Sequence, residues 1–454
     1  MDSVQTIPTD VAEILSDRVL GRELSCTCGR EHRILTREVV IEPDIGDRMA
    51  AILPSLVDGN RAVLVADRRT WQVVGSNVAA ALEDSYEIER CLIDDGPDGH
   101  IHASVELVNE LEAGLDRVCD FFVAVGSGTV NDLTKELAFR RGLPYMVVAT
   151  AASMNGYTSA IVALLEDGLK TTREAKPPVA VFADPEVLVG APRELTLAGL
   201  GDLVSKPYCG CDWKIAALVR GEYHCPMPDR LLAAPFERAL DVFPGLGTND
   251  PKAVILLFQL LLISGLSMAV TGTSSPASGG EHLLSHYWDM TRLRDGRPTN
   301  LHGAQVGVAS MVIDELYSRI LNVDFCAAEF APSPAPDVAE LGVRTTFGSL
   351  GDAVWPQWRA KLEARSARDL GRLCLYEDEI KEEIRHTLAT GRGVWHALTA
   401  AGAPVRVEDL GVGVDELVAA LQHGREIRTR FTVLDVAAEL GILEAFAAEL
   451  GGGS

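Results

Sequence analysis

The sequence predicts an α/β protein of two domains: residues 1–192 as a doubly wound, mostly parallel sheet domain, and residues 193–454 as an all-α domain. Three observations carry that expectation. Short β-rich runs alternate with helical segments between about residue 60 and residue 192. One of those runs ends in a glycine turn that opens a helix. Beyond residue 193 the apolar periodicity is helical throughout.

RAVLVAD (61–67) is rich in valine and ends in an acid, so it reads as a strand, and RRTWQVVGSNVAAAL follows with helical spacing. YEIERCLIDD is a second strand and HASVELVNELEAGLD a second helix. DFFVAVGSGTVNDLTKELAFRRG reads as strand, glycine turn and helix, LPYMVVATAAS as a strand ending in small residues, and VAVFADPEVLVGAP (179–192) as a last strand running into a proline-bounded connection. Past that point ELTLAGLGDLVSKPYCGCDWKIAALV, VGVASMVIDELYSRIL and RTRFTVLDVAAELGILEAFAAEL all repeat at helical intervals. The insert APSPAPD reads as a surface loop and the terminal GGGS as a disordered tail.

The totals narrow the function classes. A hydrophobic share of 47% and a charged share of 23% fit a folded globular chain. The net charge of −24 argues against sequence-independent nucleic-acid binding, and it requires a local cluster of cations for any anionic substrate. The N-terminus is acidic and lacks the pattern of a signal peptide. AVILLFQLLLISGLSMAV (253–270) contains Gln259, Ser264, Gly265 and Ser267, and reads as a buried helix of a large α-domain rather than a membrane span. The nine cysteines, odd in number and scattered, read as reduced thiols, and the expected location is cytoplasmic with no membrane or nucleic-acid partner. CTCGREH offers three zinc-type ligands, Cys26, Cys28 and His32, with no fourth nearby, so it reads as a tight turn between two strands.

Three motifs carry chemistry. In VAVGSGTVND (123–132) a strand delivers Gly126 and Gly128 to a helix start, where N–H groups and the helix dipole suit a pyrophosphate; a plain turn explains the same residues. Asp67, at the end of an earlier strand, reads equally as a ribose contact or as a helix N-cap. In ATAASMNGYTSAIVAL (149–164), Thr150, Ser153, Thr158 and Ser159 follow the carboxyl end of a strand, the edge at which open α/β sheets bind ligands; capping accounts for part of this. In SGGEHLLSHYWD, His282 and His286 share one helical face, His302 opens the next helical segment in LHGAQVGV, and GLGDLVSK supplies Asp202. An Asp-His-His set suits zinc, iron or nickel acting as a Lewis acid, although two histidines at helical spacing are more often ordinary surface or core polar residues than ligands.

Taken in order, GSGTVND, TAASMNGYTS, GLGDLVSK with CDW, SGGEHLLSH, LHGAQVGV and RFTVLDVAAELGIL resemble the sn-glycerol-1-phosphate dehydrogenase branch of the iron-containing alcohol dehydrogenase and dehydroquinate synthase superfamily. The resemblance runs from about residue 25 to the end of the chain. It implies a Rossmann-like domain followed by a helical one, with the active site in the cleft between them. It implies NAD(P)H held by Gly126, Ser127, Gly128, Thr129, Val130, Thr150, Ser153 and Ser159. It implies one divalent metal (Zn, alternatively Ni or Fe) on Asp202, His282 and His302, with His286 on the substrate, and a homodimer or larger assembly. Asp67 favours NAD, since a carboxylate there repels a 2′-phosphate.

One position departs from the family pattern. Asn155 stands where the family has an aspartate that contacts substrate. The amide keeps the shape, loses the charge and adds two N–H donors, which suits either the same substrate or an altered specificity. The expected reaction is reduction of dihydroxyacetone phosphate to sn-glycerol 1-phosphate, with His286 relaying the proton. Lys206 is read as either a phosphate contact or a solvated lysine, and Arg292, Arg294 and Arg297 as a charged loop. The alternatives are another phosphorylated or phosphonate carbonyl or polyol, a non-redox cyclase or lyase of dehydroquinate synthase type, or, on Asn155 alone, a catalytically silent binding protein.

Overall fold

The computed structural model describes residues 7–96, 99–115, 118–166, 168–328 and 334–452. Its strands are β1 (Glu23–Ser25), β2 (Glu31–Arg33), β3 (Glu38–Ile41), β4 (Arg61–Asp67), β5 (Glu87–Ile93), β6 (Phe121–Gly126), β7 (Tyr145–Ala149), β8 (Ile161–Glu166), β9 (Leu169–Glu174) and β10 (Ala180–Ala183). Six of them form one sheet in the order β3-β10-β7-β6-β4-β5, and every neighbouring pair is parallel. The central strands β6 and β7 are buried at every residue. Helices on both faces of a parallel sheet require that, which is why FFVAVG and YMVVA lack a polar alternation.

The chain order of these strands reverses between β4 and β6. From β4 the chain moves outward to β5, then returns to β6 and continues through β7 to β10. The carboxyl ends of β4 and β6 are therefore a topological switch point, where open α/β sheets bind ligands. Asp67 ends β4 and Gly126 ends β6, with Ala66 paired to Val125.

Two pieces were not in the alternating pattern. Edge strand β3 pairs with β10, and β8 and β9 form an antiparallel hairpin directly after the small-residue stretch. The β1–β2 pair encloses the CTCGREH turn.

The contacts divide the chain into two compact units that are discontinuous in sequence. One is 1–199 with 225–274; the other is 200–224 with 275–454. The expected boundary at 192/193 thus gives way to three crossings, and residues 225–274 belong with the sheet. The apolar helix Pro251–Thr271 is long and apolar enough to cross a membrane by composition. It is buried inside the first unit, not in an all-α domain: Val254, Leu257, Leu261, Ile263 and Leu266 have no exposed surface. The second unit is helical, and one disulfide lies in it, Cys326–Cys374. The expectation that all nine cysteines are thiols is corrected for these two. The insert expected at 331–337 falls partly outside the described residues, and the chain is already helical from Pro336, a proline at a first helical turn. Of the GGGS tail, residues 453 and 454 lie outside the described residues.

A buried lysine holds the stretch after β7 in place. Lys135, on the helix Gly128–Arg141, is fully buried and donates to the carbonyls of Gly156 (2.6 Å), Ser159 (3.1 Å) and Ile161 (3.1 Å) and to Ser159 Oγ (2.8 Å). Burial pulls its pKa down to about 8 against the opposing pull of Asp132. Removing the ammonium leaves several buried oxygens without their donor. Lys135→Met is expected to cost about 2 kcal/mol or more, read as a lower urea midpoint for the sheet unit; an unchanged midpoint would contradict this role.

Candidate active site

In the sheet unit the nucleotide motif lies as the switch point requires. Gly126 closes β6, Ser127 precedes the helix Gly128–Arg141 without giving a side-chain cap, and Thr129 and Val130 lie in its first turn. A 14-residue helix therefore presents its N-terminal dipole at the carboxyl edge of the sheet. A Cβ on Gly126 would also meet Val130 at 2.6 Å, so this glycine has a packing reason besides phosphate approach. Thr150 follows β7 at the same edge, its N–H donating to the Gly126 carbonyl at 3.3 Å.

Other predicted cofactor residues are engaged within the protein. Asp67 is an N-cap: its Oδ1 accepts from the N–H groups of Arg69 (2.7 Å) and Thr70 (2.8 Å), and its own N–H donates to Thr70 Oγ1. Ser159 is buried on Lys135, Ser153 is bonded to the phenol of Tyr157, and Thr158 Oγ1 donates to the Leu262 carbonyl at 2.6 Å. Asn155 lies in this unit too, its Nδ2 donating to Ser264 Oγ at 3.3 Å.

The metal candidates converge in the helical unit. Helices Arg193–Val204 and His302–Ile320 meet in backbone contact: a Cβ on Gly201 would overlap the Gly303 carbonyl, and one on Gly307 would lie 2.9 Å from Gly201 Cα. Only glycine permits that approach. It sets Asp202, one residue past Gly201, against the helix start that carries His302. His282, on helix Gly280–Arg294, reaches to within 3.8 Å of Asp202 Oδ1 through Nε2. The His282 and His302 rings are 5.2 Å apart, and His286 stacks on His302 at 5.5 Å with an interplanar angle of 21°.

Buried partners orient both imidazoles. His282 Nδ1 lies 2.7 Å from Glu281 Oε1, and His302 Nδ1 lies 3.1 Å from Ser285 Oγ. Ser285 donates to Gln305 Oε1 at 2.7 Å, and Gln305 Nε2 donates to Asp289 Oδ1 at 3.0 Å. Nδ1–H donation to Glu281 and Ser285 leaves each Nε2 with a lone pair. Burial lowers the His282 pKa despite Glu281, which favours the neutral ring that ligation needs. Burial alone would raise Glu281, but bonds from His282, Cys209 and the Gly279 N–H hold it down at about 2. Two neutral imidazole nitrogens and a carboxylate form a donor set for a divalent ion, and these residues fit one.

The glycine pair before His282 now has its explanation. The N–H of Gly279 bonds to Glu281 and that of Gly280 to Asp212 Oδ2 (2.7 Å). A Cβ on Gly279 would lie 2.8 Å from both carboxylates. Asp212, from CDW, also accepts from Tyr317 Oη (2.6 Å) and the Val433 N–H (2.8 Å), tying the histidine helix to the RFTVLD segment. Burial, then Glu281, pushes its pKa up to about 7.

Lys206, read earlier as a phosphate contact or a solvated lysine, is buried, with Nζ on Asp202 Oδ1 (2.9 Å), Ser205 Oγ (3.0 Å) and the Ala277 carbonyl (3.2 Å). Arg292 and Arg297 are paired with Glu416, and Arg294 with Asp295. The structure thus gathers Asp202, His282, His286, His302 and Lys206 in the helical unit and the cofactor candidates with Asn155 in the sheet unit. Glu281, Ser285, Gln305, Asp212 and Lys135 were not singled out from sequence. Glu281, adjacent to His282, was the one with a local signal.

The family model for iron-containing alcohol dehydrogenase matches residues 40–192. The chain is 30% identical over 431 residues to a glycerol-1-phosphate dehydrogenase [NAD(P)+] of Geobacillus stearothermophilus, covering 94% of this chain and 99% of that protein. It is 29% identical over 423 residues to the enzyme of the same name from Bacillus licheniformis, covering 92% and 93%. Its fold is similar to the crystal structure of glycerol dehydrogenase from Schizosaccharomyces pombe, with a TM-score of 0.56 at 15% identity over 91% of this chain and 90% of that one. The parallel sheet followed by a largely helical region is that fold. The chain belongs to the iron-containing alcohol dehydrogenase family and is an oxidoreductase similar to the glycerol-1-phosphate dehydrogenases.

Glu281→Gln keeps the shape but weakens the hold on His282 Nδ1. It is expected to reduce affinity for a divalent metal by about 10–100-fold with the fold retained, as measured by competition with a chelator. Unchanged affinity would show that Glu281 does not orient the ligand.

Proposed function

We propose that the protein is an NAD(P)-dependent, metal-dependent dehydrogenase that reduces a small phosphorylated ketone, dihydroxyacetone phosphate, to sn-glycerol 1-phosphate. The convergence of Asp202, His282 and His302, with each imidazole oriented by a buried partner, carries the reading. The likeness to glycerol-1-phosphate dehydrogenases [NAD(P)+] supports the substrate and the cofactor. When bound, a divalent cation supplies Lewis-acid polarisation of a carbonyl and the reduced nicotinamide supplies the hydride.

The chain's own groups do the rest. Gly126, Ser127, Gly128 and Thr150 form the cofactor edge of the sheet. Asp202, His282 and His302 would hold the cation, and Glu281 and Ser285 fix the tautomers. His286, stacked on His302, passes the proton to the product oxygen.

The phosphate needs cations in a chain of net charge −24. Lys206, Arg292, Arg294 and Arg297 already face carboxylates. Burial and then Arg430 push the Arg428 pKa down to about 10, and Arg430, whose charge is favoured by Cys209, Glu281, Glu222 and Asp212, donates to the Ser278 carbonyl beside the glycine pair.

Asn155 favours a second reading of specificity. The Asn155 amide, which donates to Ser264, is neutral where a carboxylate would repel a phosphate or phosphonate, so a related phosphorylated carbonyl is the competing substrate. A cytoplasmic location and a homo-oligomer complete the proposal.

His282→Ala is expected to lose bound metal and more than about 100-fold in turnover while still binding NAD(H). Full activity after exhaustive chelation would contradict the mechanism. In a panel of phosphorylated and phosphonate carbonyls, the wild type is expected to oxidise reduced cofactor fastest with dihydroxyacetone phosphate. Asn155→Asp is expected to shift the ranking of kcat/KM by about tenfold. Substrate consumed with a flat nicotinamide signal would instead mark a non-redox cyclase.

A further inference from the structure

The turn between β1 and β2 carries Cys26 and Cys28, and β2 carries His32. A fourth ligand-capable residue reaches this turn from far along the chain, in the same compact unit: Cys225, at the start of the segment that leads into the helix Met227–Ala239. Sγ of Cys26 lies 3.6 Å from Sγ of Cys225, and Nε2 of His32 lies 3.3 Å from the sulfurs of both Cys28 and Cys225. All four donor atoms are within 4.8 Å of one another. Zinc bonds of about 2.3 Å to sulfur and about 2.0 Å to nitrogen place tetrahedral ligands roughly 3.5–3.8 Å apart, close to the observed separations.

We propose that Cys26, Cys28, His32 and Cys225 form a structural zinc site that staples the β1–β2 hairpin to the 225–274 segment of the sheet unit.

Three details beyond spacing support zinc. His32 Nδ1 is 2.8 Å from the carbonyl of Val270, and only Nδ1–H can bond there, so Nε2 turns its lone pair to the sulfurs. The Met227 N–H points at Cys225 Sγ at 3.4 Å, a donor that favours a thiolate. Gly29 adopts φ +81°, the left-handed turn that folds the two cysteines back toward His32. His32 and Cys225 are buried, whereas Cys26 and Cys28 are partly accessible, which gives an entry path.

Four protein ligands close the coordination shell, so the role is structural rather than catalytic. On binding, each of the three thiols releases a proton to solvent and the neutral imidazole keeps its Nδ1 proton. The site is independent of the Asp-His-His set and of the reaction proposed above. It joins residues separated by 193 positions between His32 and Cys225, and by 238 between His32 and Val270.

The test uses the full chain expressed with zinc. Wild type is expected to carry one more zinc equivalent than Cys225→Ser, and His282→Ala is expected to retain that equivalent. Because Cys225→Ser could fail to fold, the wild type is also loaded with Co²⁺. A strong sulfur-to-cobalt charge-transfer band that persists in His282→Ala supports the site. The absence of that band, or a Cys26–Cys225 disulfide found by mass spectrometry of the unreduced protein, overturns the proposal. Equal metal content in wild type and a folded Cys225→Ser also overturns it.

Discussion

The close crossing of two helices at Gly201, Gly303 and Gly307 is the constraint on which the catalytic reading depends. Without a Cβ on Gly201 or Gly307, the two backbones touch at the Gly303 carbonyl, and Asp202 and His302 are the residues that adjoin this contact in sequence. Side chains of ordinary size would hold the helices farther apart, and typical helix pairs lie about 8–10 Å apart along their axes. A larger separation would take the carboxylate out of reach of a cation held by two imidazoles. The site is therefore set by packing first and by ligand chemistry second.

Around that crossing the protein uses buried charge to set direction. Glu281 accepts from three donors and is kept ionised, while Asp212, buried nearby, is pushed upward by burial and by Glu281's charge. The two carboxylates anchor the first N–H groups of the histidine helix, so His282 and His286 start from a fixed helix end. Lys206 adds a positive charge on Asp202. Each charge is costly to bury alone and is offset here by the partners named above, which makes the geometry specific.

Much of this was legible in the residues, and what was not has a physical reason. The strands β4, β6, β7 and β10 are buried on both faces, so their apolar runs stand out against helical spacing. Edge strand β3 has an apolar run of only three residues, and β9 is polar and half-exposed, so neither stands out as a strand. The boundary at 192/193 was set by where helical spacing begins, but the apolar helix Pro251–Thr271 packs with the sheet unit, a long-range choice that periodicity cannot express. In the site, Asp202, His282 and His302 belong to recognisable motifs. Ser285 and Gln305 were invisible because hydroxyl and amide residues on a helix are common. Cys225 was missed for a similar reason: its partners lie nearly two hundred residues away, and the turn at Cys26–His32 shows only three of four ligands. Asp67 could be read two ways, and the structure gives the cap.

The most direct test of the catalytic centre is X-ray absorption on Cys225→Ser protein carrying one equivalent of divalent metal, compared with the same protein bearing Asp202→Ala. The account predicts a first shell of nitrogen and oxygen that includes two imidazoles, lost when Asp202 is removed. A sulfur-containing shell, or a spectrum and affinity indifferent to Asp202→Ala, would contradict it.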